Sequence, residues 1–127
     1  MPRSRSGTGP DRKRAERTGR FGEAIAALYL VLKGYRLLAR RYRTPVGEID
    51  LVAARGPVTA FIEVKTRRSV ADFGLALQQV NRQRLSRAAE AWLARHPEAA
   101  TRDLRFDVIF LAPFRLPRHV MNAFDAR

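Results

Sequence analysis

Residues 46 to 66 read Val-Gly-Glu-Ile-Asp-Leu-Val-Ala-Ala-Arg-Gly-Pro-Val-Thr-Ala-Phe-Ile-Glu-Val-Lys-Thr, and the fold turns on how this stretch is arranged. From Val46 to Ala54 the side chains alternate, with Glu48, Asp50 and Val52 pointing one way and Ile49, Leu51 and Ala53 the other, which is the period of a strand. Gly56 and Pro57 supply a turn. Val58 to Thr66 then alternates again, with Phe61, Glu63 and Lys65 on a face opposite Ala60, Ile62 and Val64. The result is a pair of antiparallel neighbours, each carrying a carboxylate among aliphatic residues.

The elements on either side extend this hairpin into an α/β unit. Upstream, Arg20 to Lys33 has Phe21, Ala24, Ile25, Leu28 and Leu32 at helical spacing. Ala26, Ala27, Tyr29, Leu30 and Val31 thicken that stripe, so the helix is expected to pack on more than one side. Gly34 stops it, and Tyr35 to Thr44 suits an edge strand ending before Pro45. Downstream, Arg67 to Val80 reads as a loop interrupted by Gly74. Asn81 then caps a helix whose Leu85, Ala88, Ala89, Trp92 and Leu93 form one stripe, with Arg84, Arg87 and Arg95 away from it. Leu104 to Ala112 is a strand buried on both faces, and His119 to Phe124 adds a short last strand. The order is helix, three strands, helix, strand around a mixed central sheet flanked by helices.

Composition narrows the function. The 127 residues contain no Cys, which removes disulfide scaffolds, Cys-ligated zinc and thiol nucleophiles. The 25 Lys and Arg against 12 Asp and Glu give a charge of +13, a field suited to polyanions such as nucleic acid, although 22 of the 25 are Arg, a bias that genome composition also produces. Residues 1 to 18 lack the apolar side chains to bury a core and are expected to be a disordered basic arm. The remaining unit, 19 to 127, keeps 19 basic against 10 acidic residues, an excess of nine. The longest apolar run, Ala24 to Leu32, is about half of the roughly 20 residues needed to span a bilayer, and the start has no signal core. No membrane association is expected, and the expected location is the cytoplasm. P-loop, dinucleotide, serine-hydrolase and zincin motifs are all missing.

The chemistry concentrates in charges embedded among aliphatics, which are costly unless paired or metal-bound. Asp50 and Glu63, on adjacent strands, can offer a hard divalent cation such as Mg²⁺ two carboxylates, and Lys65 on the Glu63 face can orient water or balance phosphoryl charge. Simpler roles exist for each group. Glu63 and Lys65 can form a surface ion pair, Glu23 can favour the start of the first helix, and Glu48 can be a solvated strand-end residue. Asp107 suits a structural partnership with Arg105. His96 and His119 suit the surface, Trp92 the core, and Arg40, Arg41 and Arg43 a solvated edge or phosphate contact.

Six segments carry a likeness beyond single residues. They are Arg-x-Gly-Arg-x-Gly-Glu-Ala from Arg17, Gly-Glu-Ile-Asp-Leu-Val-Ala from Gly47, Phe-Ile-Glu-Val-Lys-Thr-Arg from Phe61, Arg-Gln-Arg-Leu from Arg82, Arg-Phe-Asp-Val from Arg105 and Asn-Ala-Phe from Asn122. Over Arg17 to Phe124 the chain resembles the bacterial YraN family, itself similar in its core to Holliday-junction resolvases and the PD-(D/E)XK nucleases. The resemblance implies a restriction-endonuclease-like fold with Glu23, Asp50, Glu63 and Lys65 as active-site positions. It further implies Mg²⁺ or Mn²⁺ held by Asp50, Glu63, Glu23 and the Val64 carbonyl, and nucleic acid, DNA foremost, met by Arg67, Gln78, Arg82 and Arg84. The sequence itself leaves the oligomeric state open, a homodimer included. The pattern departs from the superfamily where Ile49 precedes Asp50 in place of Pro, and where Arg82 stands at a position that often holds Lys. Three function classes follow: a metal-dependent nuclease acting on DNA, branched DNA included, a non-catalytic nucleic-acid- or ribosome-associated module on the same fold, and an interaction protein whose charges are structural.

Overall fold

The computed structural model describes the backbone of residues 10–125 and the side chains of residues 19–125. Helix α1 (Pro10–Leu32) leads into β1 (Arg36–Thr44), β2 (Gly47–Arg55) and β3 (Val58–Thr66). Helices α2 (Phe73–Gln78) and α3 (Arg82–Arg95) follow, then β4 (Asp103–Leu111) and β5 (Arg118–Phe124). The five strands lie in sequence order, with β3 and β4 parallel and every other pair antiparallel, so α2 and α3 form the crossover that a parallel pair requires. The mixed α/β architecture expected from the sequence is therefore present. No described helix is long and apolar enough to cross a membrane.

Two cores sandwich the sheet. One gathers Ile49, Val52, Phe61, Phe106, Val108 and Phe110 beneath α2 and α3, with Trp92 inside it. The other sets Ala26, Ala27 and Leu30 of α1 on Leu51, Ala53, Ala60, Ile62 and Ile109. Small residues on the inner stripe let α1 lie close to the sheet: a Cβ on Gly22 would stand 2.9 Å from the Thr66 hydroxyl and 3.2 Å from Leu111.

Several elements differ from the sequence expectation for identifiable reasons. The first half of the arm expected over residues 1 to 18 lies outside the described residues. From Pro10 the backbone is helical, and a proline fits the first helical position because its missing N–H would find no partner there. Glu23 thus sits well inside α1 and not at its start. The 67–80 loop contains a 3₁₀ turn, in which Ser69 accepts the Ala71 amide, and then α2, held by buried Phe73 and Ala76. Among the described residues only one face of α1 is covered; Phe21, Leu28 and Leu32 remain 60–77% exposed.

Neither histidine is a free surface residue. The His96 ring stacks on buried Trp92 at 4.0 Å. The His119 side chain is buried, its Nε2 2.7 Å from Asp107 and its Nδ1 2.8 Å from the Lys33 ammonium. Lys33 can only donate, so Nδ1 accepts and Nε2–H donates to Asp107. Arg105 and the Asn122 amide also donate to Asp107, which closes the network that fastens β5 to β4. Burial would push the Asp107 carboxyl upward, but the bonds from His119, Arg105 and Asn122 outweigh it and hold the group below the usual range.

The placement of α3 depends on Gly47. A Cβ there would lie 1.9 Å from the Arg84 carbonyl oxygen, so the first turn of α3 rests directly on the β2 backbone. Gly47→Ala should therefore destabilise the chain by at least the usual cost of overpacking, about 1–3 kcal/mol. An unchanged urea midpoint would show that α3 does not bear on this glycine.

Candidate functional site

The site forms where the central hairpin stops being a regular ladder. β2 and β3 pair from Arg55–Val58 to Leu51–Ile62 and no further. At the next residue Asp50 Oδ2 accepts the Val64 amide at 2.7 Å, so a side-chain carboxylate takes the place of a ladder carbonyl. β2 also reverses its alternation here. Ile49 and Val52 both enter the core under α3, while Leu51 and Ala53 enter the one under α1. This corrects the simple alternation, which puts Ile49 with Leu51 and Ala53. β1 turns over at the same level: Ala39 and Tyr42 both pack under α3, and between them Arg41 has a left-handed φ of 51°. The paired reversal leaves Asp50 at the gap between strands, partly buried and close to the residues of β3.

Glu63 and Lys65 follow Phe61 on the α3 side of β3, as the alternation predicts. Their side chains are each 21% exposed and form an ion pair at 3.2 Å. Asp50 lies close enough to Glu63 to feel its charge. The Asp50 carboxyl is pushed up from 3.8 to about 8, first by burial and then by the Glu63 charge; the Val64 amide acts the other way, and Glu23 adds a smaller upward push. Asp50 therefore keeps its proton at neutral pH unless a cation neutralises the site.

Glu23 reaches this region from the inner stripe of α1 and is 7% exposed. Its Oε1 makes no hydrogen bond and lies 3.5 Å from Arg41 Nε. Burial raises its carboxyl despite the opposing fields of Arg41, Arg40 and Arg43. Among the described residues, no group of three or more His, Asp or Glu side chains is gathered closely enough to hold a metal. The structure thus brings Asp50, Glu63 and Lys65 together, with Glu23 engaged by Arg41. The contact seen at Val64 is made by its amide.

The four residues expected to meet nucleic acid are placed unequally. Arg84 lines a depression of about 110 Å³ with Glu48, Glu63, Asn81 and Leu85, beside the carboxylates. Asn81 Oδ1 caps α3 by accepting the Arg84 amide at 3.0 Å, which fixes that turn. Arg82 lies instead over the Phe124 ring of β5 at 5.2 Å. Arg67 donates back to the Thr66 carbonyl at 2.7 Å, and Gln78 is exposed at the end of α2. Sequence reasoning missed Arg41 as a site residue, because three arginines in four positions read as a solvated edge. The signal available was its position opposite an acidic residue at the end of a hairpin.

The model of the family described as "Uncharacterised protein family UPF0102" matches residues 22–111. A UPF0102 protein of Bradyrhizobium diazoefficiens is 55% identical over 117 residues, covering 92% of this chain and 88% of that protein. One of Nitrobacter winogradskyi is 55% identical over 108 residues, covering 85% and 92% respectively. A third, from Bradyrhizobium sp. strain ORS 278, is 50% identical over 125 residues, covering 98% and 89%. The chain belongs to the UPF0102 family, the YraN-type family that its motifs resemble. The matched segment contains Glu23, Asp50, Glu63, Lys65 and Asp107 and ends before β5.

A pH dependence follows from Asp50. The folded chain holds the Asp50 proton more tightly than the unfolded one, so this contribution to stability is full below 3.8 and is lost as pH rises through about 8. In chelator, the stability of the wild type relative to Asp50→Asn should fall between pH 5 and 8, by an amount on the order of a few kcal/mol. Parallel urea midpoints for the two proteins across that range would show that Asp50 titrates normally.

Proposed function

We propose that the chain is a divalent-metal-dependent nuclease that hydrolyses phosphodiester bonds in cytoplasmic DNA, branched DNA included. The observation that carries this reading is the part-buried Asp50 carboxyl set within the field of Glu63, with Lys65 at 3.2 Å from Glu63. Burial and the neighbouring Glu63 charge, which together push the Asp50 carboxyl up to about 8, fit a hard cation, which would offset both by binding oxygen donors. Mg²⁺ or Mn²⁺ fits this donor set, with Asp50 and Glu63 as its holders and Glu23 within their field. When bound, such an ion supplies positive charge and acidifies water. The helix–strand order is also that of the restriction-endonuclease-like core that the motifs resemble.

The chain's own groups supply the rest. Lys65 places a cation on the carboxylate face, where it can orient attacking water and balance charge on a phosphoryl oxygen in the transition state. Arg84, beside Glu63 on the outward side of α3, can hold a neighbouring phosphate, and Arg87 one turn later extends the same basic face. Arg41 restrains Glu23. A second reading, a nucleic-acid- or ribosome-associated module without turnover, is favoured by one observation: no third carboxylate joins Asp50 and Glu63 among the described residues.

The test is purified chain against branched, linear and single-stranded DNA and RNA in Mg²⁺ or Mn²⁺. Asp50→Asn, Glu63→Gln and Lys65→Ala should each lower cleavage by at least about 10²-fold, the scale of losing one transition-state contact. Binding should change little and should weaken steeply with salt, because phosphate contacts release counterions. A monodisperse, metal-loaded wild type that binds the panel with that salt dependence and cuts nothing would decide for the non-catalytic module.

A further inference from the structure

Helix α1 carries two apolar stripes, and the described residues cover one of them. The inner stripe, Gly22, Glu23, Ala26, Ala27 and Leu30, is buried on the sheet. On the opposite side Phe21, Ile25, Leu28 and Leu32 are 69%, 36%, 60% and 77% exposed. Their spacing of four, three and four residues is that of a helix-pairing seam, and exposed Ala24 and Val31 widen it. A groove of about 290 Å³ continues the surface from Phe21 and Ile25 to Pro113. The adjoining turn presents Phe114 and Leu116, 104% and 87% exposed. Among the described residues nothing lies over this surface, and residues 1 to 9 contain a single large apolar side chain, Met1, with which to cover it. An apolar surface of this extent marks an interaction site.

We infer that this face joins two copies of the chain, α1 against α1 about a two-fold axis, as a homodimer. The area suits that partner: at the quoted exposures the seam and the 113–116 turn offer roughly 800 Å², one side of a standard interface. The charge suits it as well. A chain of +13 meets its own copy unfavourably over most of its surface, but between Arg20 and Lys33 the outer side of α1 has no charged residue, and Lys33 is turned inward on His119. The contact thus lies at a place where like charges do not face each other. The basic residues of α1, Arg12, Lys13, Arg14, Arg17 and Arg20, precede the seam, and the side opposite the seam is packed on the sheet, whereas a helix lying in a membrane interface carries Lys and Arg along a solvated polar side beside its apolar one. A seam that matches itself under a two-fold rotation needs no second surface. This inference is independent of the nuclease reading.

Sedimentation equilibrium of the full chain should give twice 14.4 kDa, with dissociation on dilution into the low micromolar range. Leu28→Glu and Leu32→Glu should weaken the dimer at least about a hundredfold, since each buries two uncompensated charges, while circular dichroism stays native because both positions are exposed in the monomer. Leu104→Glu, at an exposed apolar residue of β4, should leave the dimer intact. The chain has no native Cys, so Leu28→Cys with a short bis-maleimide should give a cross-linked dimer and Leu104→Cys should not. A monomeric wild type at about 100 µM, or a dimer indifferent to Leu28→Glu, would overturn the inference. So would a monomer that sediments with phosphatidylglycerol vesicles through Leu28 and Leu32.

Discussion

One hydrogen bond organises the region where chemistry is expected: the Val64 amide donating to the Asp50 carboxylate. A strand amide freed from its ladder must find another acceptor, and here a side chain provides it, so β2 can leave β3 without a buried donor going unsatisfied. That departure opens the sheet between Asp50 and Glu63. It also coincides with the reversal of facing in β2 and in β1, where Arg41 accepts a left-handed backbone. A non-glycine residue in that region costs free energy, which is tolerated where surrounding structure over-determines it. β1 and β2 turn over as a pair, and α3, resting on Gly47 just before the break, closes the space on one side.

Much of this was legible in the sequence, and the parts that were not share a cause. The alternation in β3 is intact, so Phe61, Glu63 and Lys65 were assigned to one face from the residues alone. β2 reads as equally regular, yet alternation cannot reveal a reversal when both faces of a strand are aliphatic; Leu51, Val52, Ala53 and Ala54 are all buried. Helix α2 escaped notice because six residues give one turn and a half, too little for a period to show. The pairing of His119 with Lys33 spans 86 positions and has no local signature. Residue types in the site were visible throughout. What remained hidden was which of two nearby arginines, Arg82 or Arg84, lines the depression with Glu63, since that depends on where the first turn of α3 lands.

The first helix makes the same point about faces. Its composition implied burial on two sides, and the fold buries one. The difference arises because a sheet offers a helix only one contact surface, and α1, laid against the α1-side core, must turn Phe21, Leu28 and Leu32 outward. Apolar residues at seam spacing along such an outer face are better explained by what meets the helix than by its own stability, since exposed phenylalanine has a lower helix propensity than alanine.

Two acidic centres in one sheet show how burial separates structure from chemistry. Asp107 is wholly buried and receives donors from Arg105, His119 and the Asn122 amide, and its carboxyl is held low. Asp50 receives one backbone amide, faces a second carboxylate, and is pushed up to about 8. Both charges pay for desolvation, but only the first is fully compensated from within the chain. A buried acid with a complete set of donors is finished as a structural element, and binding another cation would disrupt it. A buried acid short of donors and crowded by its own kind is stabilised by whatever positive charge arrives from outside. That asymmetry, more than the presence of any single residue, separates the β2–β3 gap, where an acid is left short of donors, from the β4–β5 edge, where the acid holds the sheet together.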